Sequence, residues 1–245
     1  MTLLTSFKKT KNSFSQVLKE LGWIDTGIFI SNKLLRLVSQ DKLRIYKYYL
    51  VTQPVRDKPY LPPHRGKEIK IRLIDKMDAI VSSFPRPLHV IESRFNCGAK
   101  CLVAFKDGRF IGFLWLQLGP YQEDEVRARF IPLPENRAAW DFDVFIVPEY
   151  RFGLAFTRLW DEANNLLSNS DIYWSYSRIA ATNSVSLKSH LRQNAECLGS
   201  AHFLCSDKWQ LTVASLFPYF HLSFHENSYP KFYLRTKLMT SQSSS

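Results

Sequence analysis

The sequence is poor in the features that mark several large protein classes. It has only four cysteines, Cys97, Cys101, Cys197 and Cys205, spaced C-x3-C and C-x7-C. Neither spacing is a usual zinc or redox pattern, so the expectation is reduced, mostly buried thiols and no metal site. Nine glycines and 12 prolines without a repeat exclude collagen-like and low-complexity chains. No apolar stretch approaches the roughly 18–20 residues of a membrane span; charge interrupts every one. The opening MTLLTSFKKTKNSF lacks the run of roughly 7–15 apolar residues of a secretory signal. These absences leave a cytoplasmic protein, or one peripheral at a membrane, as the expected class. No Walker loop, nucleophile elbow or zinc-finger spacing occurs. His221 and His225 form an H-x3-H pair with no third ligand nearby in sequence.

Apolar residues, by contrast, make up 45% of the chain and aromatics 14%. That composition excludes global disorder and supplies a sizeable core. The 245 residues suit one large domain, or a domain with an extension. The net charge of +11 is unevenly placed. Residues 1–72 hold 15 basic and 5 acidic side chains, whereas residues 73–245 hold 18 and 17. A basic first third attracts an anionic surface: lipid headgroups, nucleic acid or an acidic protein such as an acyl carrier. A solvated basic face with no partner is the competing reading. The aromatic and basic mixture RIYKYYL is explained by a half-buried strand more simply than by single-stranded nucleic acid.

Three segments are expected. Residues 1–66 form a basic extension. Within it, Phe7, Phe14, Val17, Leu18 and Leu21 alternate with lysines as in a short amphipathic helix over residues 1–22. Leu34, Leu35 and Val38 suggest a second short helix, and LRIYKYYLVTQPV, residues 43–55, a strand. Residues 56–66, with three prolines and a glycine, read as a linker. Residues 67–228 form the main domain. EIKIRLI is a strand, DKMDAIVSSF a helix capped by Asp75, and PLHVIESRF a second helix. A hairpin turns at Asp107-Gly108. AAWDFDVFIV is a strand, residues 153–167 a helix, and IYWSYSRIA a strand. Residues 183–195 are a helix capped by Asn183, and two further strands follow. Trp115, Trp140, Trp160 and Trp174 fall in core elements and read as packing residues. Residues 229–245 form a frayed tail ending in SQSSS. This order predicts an α+β fold, a mixed central sheet flanked by helices in three layers.

The element order, with residues at two junctions, resembles the GCN5-related N-acetyltransferase superfamily over about residues 67–215. One junction is VFIVPEYRFGLAFTRLWDEA, residues 144–163. Gly153 and Ala155 match the G-x-[G/A] part of that family's strand–turn–helix motif. Tyr150 stands in the [Q/R] slot, with Arg151 one residue later. A helix start presents unpaired N–H groups and a positive dipole end. Small residues there let a pyrophosphate approach. The competing reading is a glycine that only tightens the turn. The other junction is SRIAATNSVSLKSHLRQNA, residues 177–195. Asn183 matches the family Asn, Ser186 fills a small-residue slot, and His190 falls where many members place a thiolate-protonating Tyr. Asn194 and Ala195 depart from the motif's Gly-Phe. A simple helix cap for Asn183 and a packed histidine at 190 are the alternatives. SRIAATNSVSLKSH, with Gln53-Pro54 at a strand end, is also similar to acyltransferase-like proteins of bacterial polysaccharide gene clusters.

The resemblance implies a CoA-dependent N-acyltransferase with acetyl-CoA or another acyl-CoA as co-substrate. Its acceptor would be a small-molecule or protein amine. The cofactor-binding set it implies is Phe145, Ile146, Val147, Arg151, Phe152, Gly153, Leu154, Ala155, Asn183 and Ser186. Backbone N–H groups about Phe145 to Val147 would polarise the acyl carbonyl. His190 would protonate the leaving thiolate. Asp141 and Asp143, two apart in AWDFDVF and so expected on one sheet face, are the candidate bases, with Glu149 close by. Two other readings stand beside it. One is a long-chain N-acyl amino acid synthase-like enzyme fed by an acyl carrier protein. The other is a catalytically silent module that binds a partner or an anionic membrane through residues 1–66.

Overall fold

A computed structural model describes residues 3–236. In chain order the elements are α1 (Leu3–Val38), β1 (Leu43–Pro54), β2 (Ile69–Ile74), α2 (Leu88–Asn96), β3 (Lys100–Lys106), β4 (Arg109–Leu118), β5 (Tyr121–Gln122) and β6 (Arg129–Pro132). They continue as β7 (Ala138–Ile146), α3 (Ala155–Ser168), β8 (Trp174–Ala180), α4 (Ser184–Arg192), β9 (Glu196–Ser206), β10 (Gln210–Ala214), β11 (Phe220–Ser223) and β12 (Lys231–Leu234). The α+β fold with a mixed sheet flanked by helices is the one observed. β5, β6 and β12 form a separate three-stranded sheet. SQSSS lies outside the described residues.

The chain divides into two compact units, and the division does not follow the expected segments. One unit comprises Met1–Val51, Gln122–Arg129 and Arg178–Phe232; the other comprises Thr52–Tyr121, Phe130–Ser177 and Tyr233–Ser245. Residues 1–66 are therefore not one extension, and β1 is a sheet strand beside β9. β12 likewise gives the expected tail an ordered strand.

The second unit has three layers. Its strands run in the order β8-β7-β4-β3-β2. β2, β3, β4 and β7 pair antiparallel, and β7 and β8 pair parallel. The β3–β4 hairpin turns at Asp107 and Gly108, both with positive φ, as a two-residue turn of this type requires. α3 covers one face. Its buried Ala155, Leu159, Trp160, Ala163 and Leu167 pack on Leu102, Leu114, Leu116 and Ala139. α2 covers the other through Ile91, which joins Val103, Phe113 and Trp115. Trp115, Trp140 and Trp160 are fully buried, as packing residues should be, and Phe130 stacks on Trp140 at 4.8 Å. The predicted helix over residues 75–84 is a single 3₁₀ turn, Ala79–Ser83, capped by Asp78 instead of Asp75. The predicted linker is a strap on α3. Tyr60 N donates to Asp161 Oδ1 at 2.6 Å, and Arg56 N donates to Asn164 Oδ1 at 3.3 Å.

In the first unit the strand order is β11-β10-β9-β1. The two helices expected in the N-terminal region are one long helix, broken in conformation at Gly22 (φ 78°, ψ 174°). α1 is tied to β1 by polar bonds. Asn32 Oδ1 accepts from Ile45 N at 2.8 Å, and Ser39 Oγ accepts from Leu43 N at 3.0 Å. Asp25 receives Lys47 Nζ at 2.6 Å and Tyr49 OH at 2.7 Å. A buried ion cluster holds the 122–129 segment. Arg178 donates to both oxygens of Glu123, at 2.8 and 2.7 Å, and pairs with Glu125 at 2.8 Å. Its guanidinium lies 4.4 Å from the Tyr48 ring centroid. Of the four thiols, Cys101 is buried but Cys97 and Cys197 are exposed, so the expectation of mostly buried cysteines is only partly met.

Candidate functional site

The distinctive geometry lies in the outer half of β7. β7 and β8 are in register at Ala138↔Trp174, Ala139↔Ser175 and Trp140↔Tyr176, and there the ladder ends. β7 nevertheless runs on for six residues, to Ile146. Its other edge stays paired with β4 as far as Gly112↔Ile146. Between the pairs Trp115↔Phe142 and Phe113↔Phe145, β7 uses one residue more than β4. That is a bulge, and Asp143 sits in it with φ 49°. A bulge bends its strand and raises the local twist, which is how a strand leaves one neighbour while keeping the other. Gly112 permits the close crossing: a Cβ there would lie 2.5 Å from Phe145 O.

The bulge also separates the two aspartates. The expectation that Asp141 and Asp143 share a face fails, because the extra residue resets the alternation. Asp143 turns to the α2 side. Arg86 binds both of its oxygens and Arg94 Nη1 donates at 2.5 Å. Arg94 also lies over the Trp115 and Phe142 rings, at 5.3 and 5.2 Å from their centroids. Two guanidiniums thus engage the Asp143 carboxylate. Asp141 lies on the opposite face, in line with Ala139, and is 2% exposed. Ser175 Oγ donates to its Oδ2 at 2.8 Å. Burial pushes the Asp141 carboxyl up to about 7, against the smaller opposing pull of hydroxyl hydrogen bonds. A carboxyl poised there holds or releases a proton near neutrality.

β7 leads directly into the glycine turn. Val147 N donates to Ile111 O at 2.9 Å, so of the three amides about Phe145 to Val147 that one is already engaged. The chain then makes a 3₁₀ turn over Pro148–Tyr150. Gly153 N donates to Tyr150 O at 3.1 Å, and the first α3 bond runs from Arg158 N to Leu154 O at 2.9 Å. Among the described residues, the amides of Leu154, Ala155 and Thr157 therefore have no backbone acceptor, as at any helix start. A Cβ on Gly153 would meet only Tyr150 O, at 3.3 Å, so no side chain plugs the space beside it. Ala155 is buried in the core, Leu154 packs against it, and Phe152 is fully exposed. Glu149 is exposed. Arg151 Nε donates to Ile146 O at 3.1 Å, back across the turn.

Asn183, Ser186 and His190 belong to the first unit. Asn183 Oδ1 accepts from Ser186 N at 3.1 Å, the cap that its residue type predicts. His190 is buried, and burial pushes its imidazole down to about 4. It is neutral at physiological pH and 2% exposed. Sequence reasoning missed Arg86, Arg94 and Ser175. Charged residues inside an apolar strand were the available signal, since each must find a partner or lose its charge.

No protein-family model matches the chain, and no curated protein does. Solved structures are similar to it at low identity. One is a conserved protein of unknown function from Staphylococcus epidermidis ATCC 12228, with 10% identity and a TM-score of 0.49, covering 71% of this chain and 67% of that one. Another is the GCN5-related glucosamine N-acetyltransferase region of a fungal multi-domain GH3 β-N-acetylglucosaminidase. It shows 17% identity and a TM-score of 0.46, over 71% of this chain and 22% of that one. A third is a tandem GNAT protein from the clavulanic acid biosynthesis pathway, with 12% identity and a TM-score of 0.45, over 66% and 54%. This chain thus spans about two thirds of the first structure, a fifth of the second and half of the third.

Proposed function

We propose that the chain is a CoA-dependent N-acyltransferase, with acetyl-CoA as donor and an amine as acceptor. One observation carries this reading: β7 loses its β8 partner after Trp140 and runs unpaired on that edge into a turn followed by acceptor-free helix amides. With no side chain beside Gly153, a pyrophosphate would approach the start of α3 there. The amides of Leu154, Ala155 and Thr157 would hold it, and the exposed Arg151 guanidinium would turn from Ile146 O to a phosphate oxygen. The bound thioester supplies an activated acyl carbon. The Ile146 amide, which alternates with the β4-bonded Val147 amide and so points to the parted edge, would donate to the acyl oxygen as negative charge develops there. Asp141, where the pairing stops, is the carboxyl whose proton affinity suits accepting a proton from an acceptor ammonium.

Asp143 carries no base role in this scheme, because both of its oxygens are taken by Arg86 and Arg94. It positions the bulge instead. One observation favours a second reading, a catalytically silent binding module: all three proton-transfer groups chosen from sequence are engaged or enclosed, Asp143 by two arginines and Asp141 and His190 by burial.

Melting with and without CoA tests the proposal. Ligand at about 100 times its dissociation constant stabilises by roughly 2.7 kcal/mol. For a chain of this size that raises the midpoint by about 5–10 °C. Gly153→Glu should abolish the rise by bulk and by repulsion of phosphate. No rise at millimolar CoA would sink the reading. A rise without acyl transfer to any amine tested would select the silent module.

A further inference from the structure

In the first unit the alternation of β10 and β11 runs backwards. Gln210, Thr212 and Ser223 are buried, whereas Val213, Phe220 and Leu222 on the other face are exposed, Phe220 at 63%. A half-covered antiparallel ribbon ordinarily turns apolar side chains inward and polar ones to water. The cross-strand pairs Leu211↔Leu222 and Val213↔Phe220 gather the apolar side chains on one face. Phe224 continues that row, and Phe217 and Tyr219 project at the connecting turn; all three are exposed.

The same face extends to α1. Val213 pairs with His202 on β9, whose imidazole is pushed down first by burial and then by Lys47, the lysine that Asp25 of α1 binds. α1 therefore covers this face at β1 and leaves it bare at β10 and β11. Its own outward side is apolar too. Trp23, Ile30, Leu34 and Leu37 recur at helical spacing, with Ile24 and Val38 beside them, and Trp23 is 77% exposed. Lys19 and Lys33 on α1, and Lys42 just past its end, are exposed.

We propose that this face docks on an anionic phospholipid surface, with the outer side of α1 and the apolar face of β10–β11 entering the headgroup–acyl boundary. Charge selects this occupant over a second copy. Residues 1–51, the part of the basic N-terminal region that belongs to this unit, carry nine basic against three acidic side chains, so apposing two copies brings like charge together. Acidic lipid complements that charge, and aromatic anchors with exposed lysines suit the interface. No helix among the described residues is long and apolar enough to cross a membrane, so the contact lies on the surface.

Sedimentation of the full chain tests this, with vesicles of phosphatidylcholine alone and of phosphatidylcholine with phosphatidylglycerol. The chain should pellet with the anionic vesicles, remain free of the neutral ones, and be released by added salt. Phe220→Ser and Leu222→Ser should each lower partitioning about tenfold, the factor that corresponds to roughly 1.4 kcal/mol. Their circular dichroism should be unchanged, because both side chains already face water. Trp23→Ser should act in the same direction from α1, and it keeps the test decisive if a strand variant misfolds. Failure to pellet with anionic vesicles overturns the proposal, as does equal binding by folded variants. So does a chain that ignores both vesicles but elutes as a dimer that Leu222→Glu splits; that outcome would assign the face to a second copy.

Discussion

Asp141→Asn separates stability from chemistry at one atom. In the folded chain the Asp141 carboxyl is 2% exposed, accepts from Ser175 Oγ, and titrates at about 7 against an ordinary 3.8. Its folded affinity for the proton exceeds its unfolded affinity. Its contribution to stability is therefore fully present below about pH 4 and is lost as pH rises through about 7. A shift of about three units at 1.36 kcal/mol each makes the loss about 4 kcal/mol above pH 7. At roughly 2–4 °C per kcal/mol for a chain of this length, that is about 8–16 °C of melting temperature. Asparagine keeps the shape and can still accept from Ser175, but it does not titrate. The variant should melt close to wild type near pH 4 and well above it near pH 8, in scans on the same buffer series. If Asp141 also takes the ammonium proton, turnover should fall by about two orders of magnitude or more in the same variant. Melting curves of the two proteins that stay parallel from acid to alkali would refute the burial reasoning. A stabilised variant with full turnover would refute only the catalytic part.

His190 acts in the opposite sense. Its folded value, about 4, lies below the ordinary 6.5, so its contribution is present above pH 6.5 and is lost as pH falls toward 4. His190→Gln should flatten that acid limb, and a limb of unchanged slope would show that another group governs it. In the buried ion cluster, Arg178→Met strands Glu123, whose side chain is 0% exposed. The expected cost is about 3–5 kcal/mol by urea unfolding, reduced in the Arg178→Met/Glu123→Gln pair. Equal losses in single and double variants would show that the charge itself is not what matters.

Most long elements were legible because their signals are local. The Asp107-Gly108 turn and the Asn183 cap need no partner outside their own segment. The strap over residues 56–66 was hidden because Asp161, which holds Tyr60, lies 101 residues away. β5, β6, β11 and β12 have two to four residues each, too few for alternation to register. Along β11 the pattern was also inverted, apolar outward, which local counting assigns to the wrong face.

The aspartate pair shows where such counting ends. Two residues apart means one face only while the ladder is regular, and β7 bulges between Phe142 and Phe145. A carboxyl in an apolar strand has two outcomes: it recruits cations, or it keeps its proton. Asp143, with Arg86 and Arg94 at its bulge, took the first; Asp141, among hydroxyls on the other face, took the second. The pair in AWDFDVF marks the strand as unusual, but only the bulge decides which aspartate meets the arginines and which is buried beside Ser175. A structural insertion of a single residue therefore moves the candidate proton acceptor from either position to Asp141 alone, and leaves Asp143 to brace the strand that parts from β8.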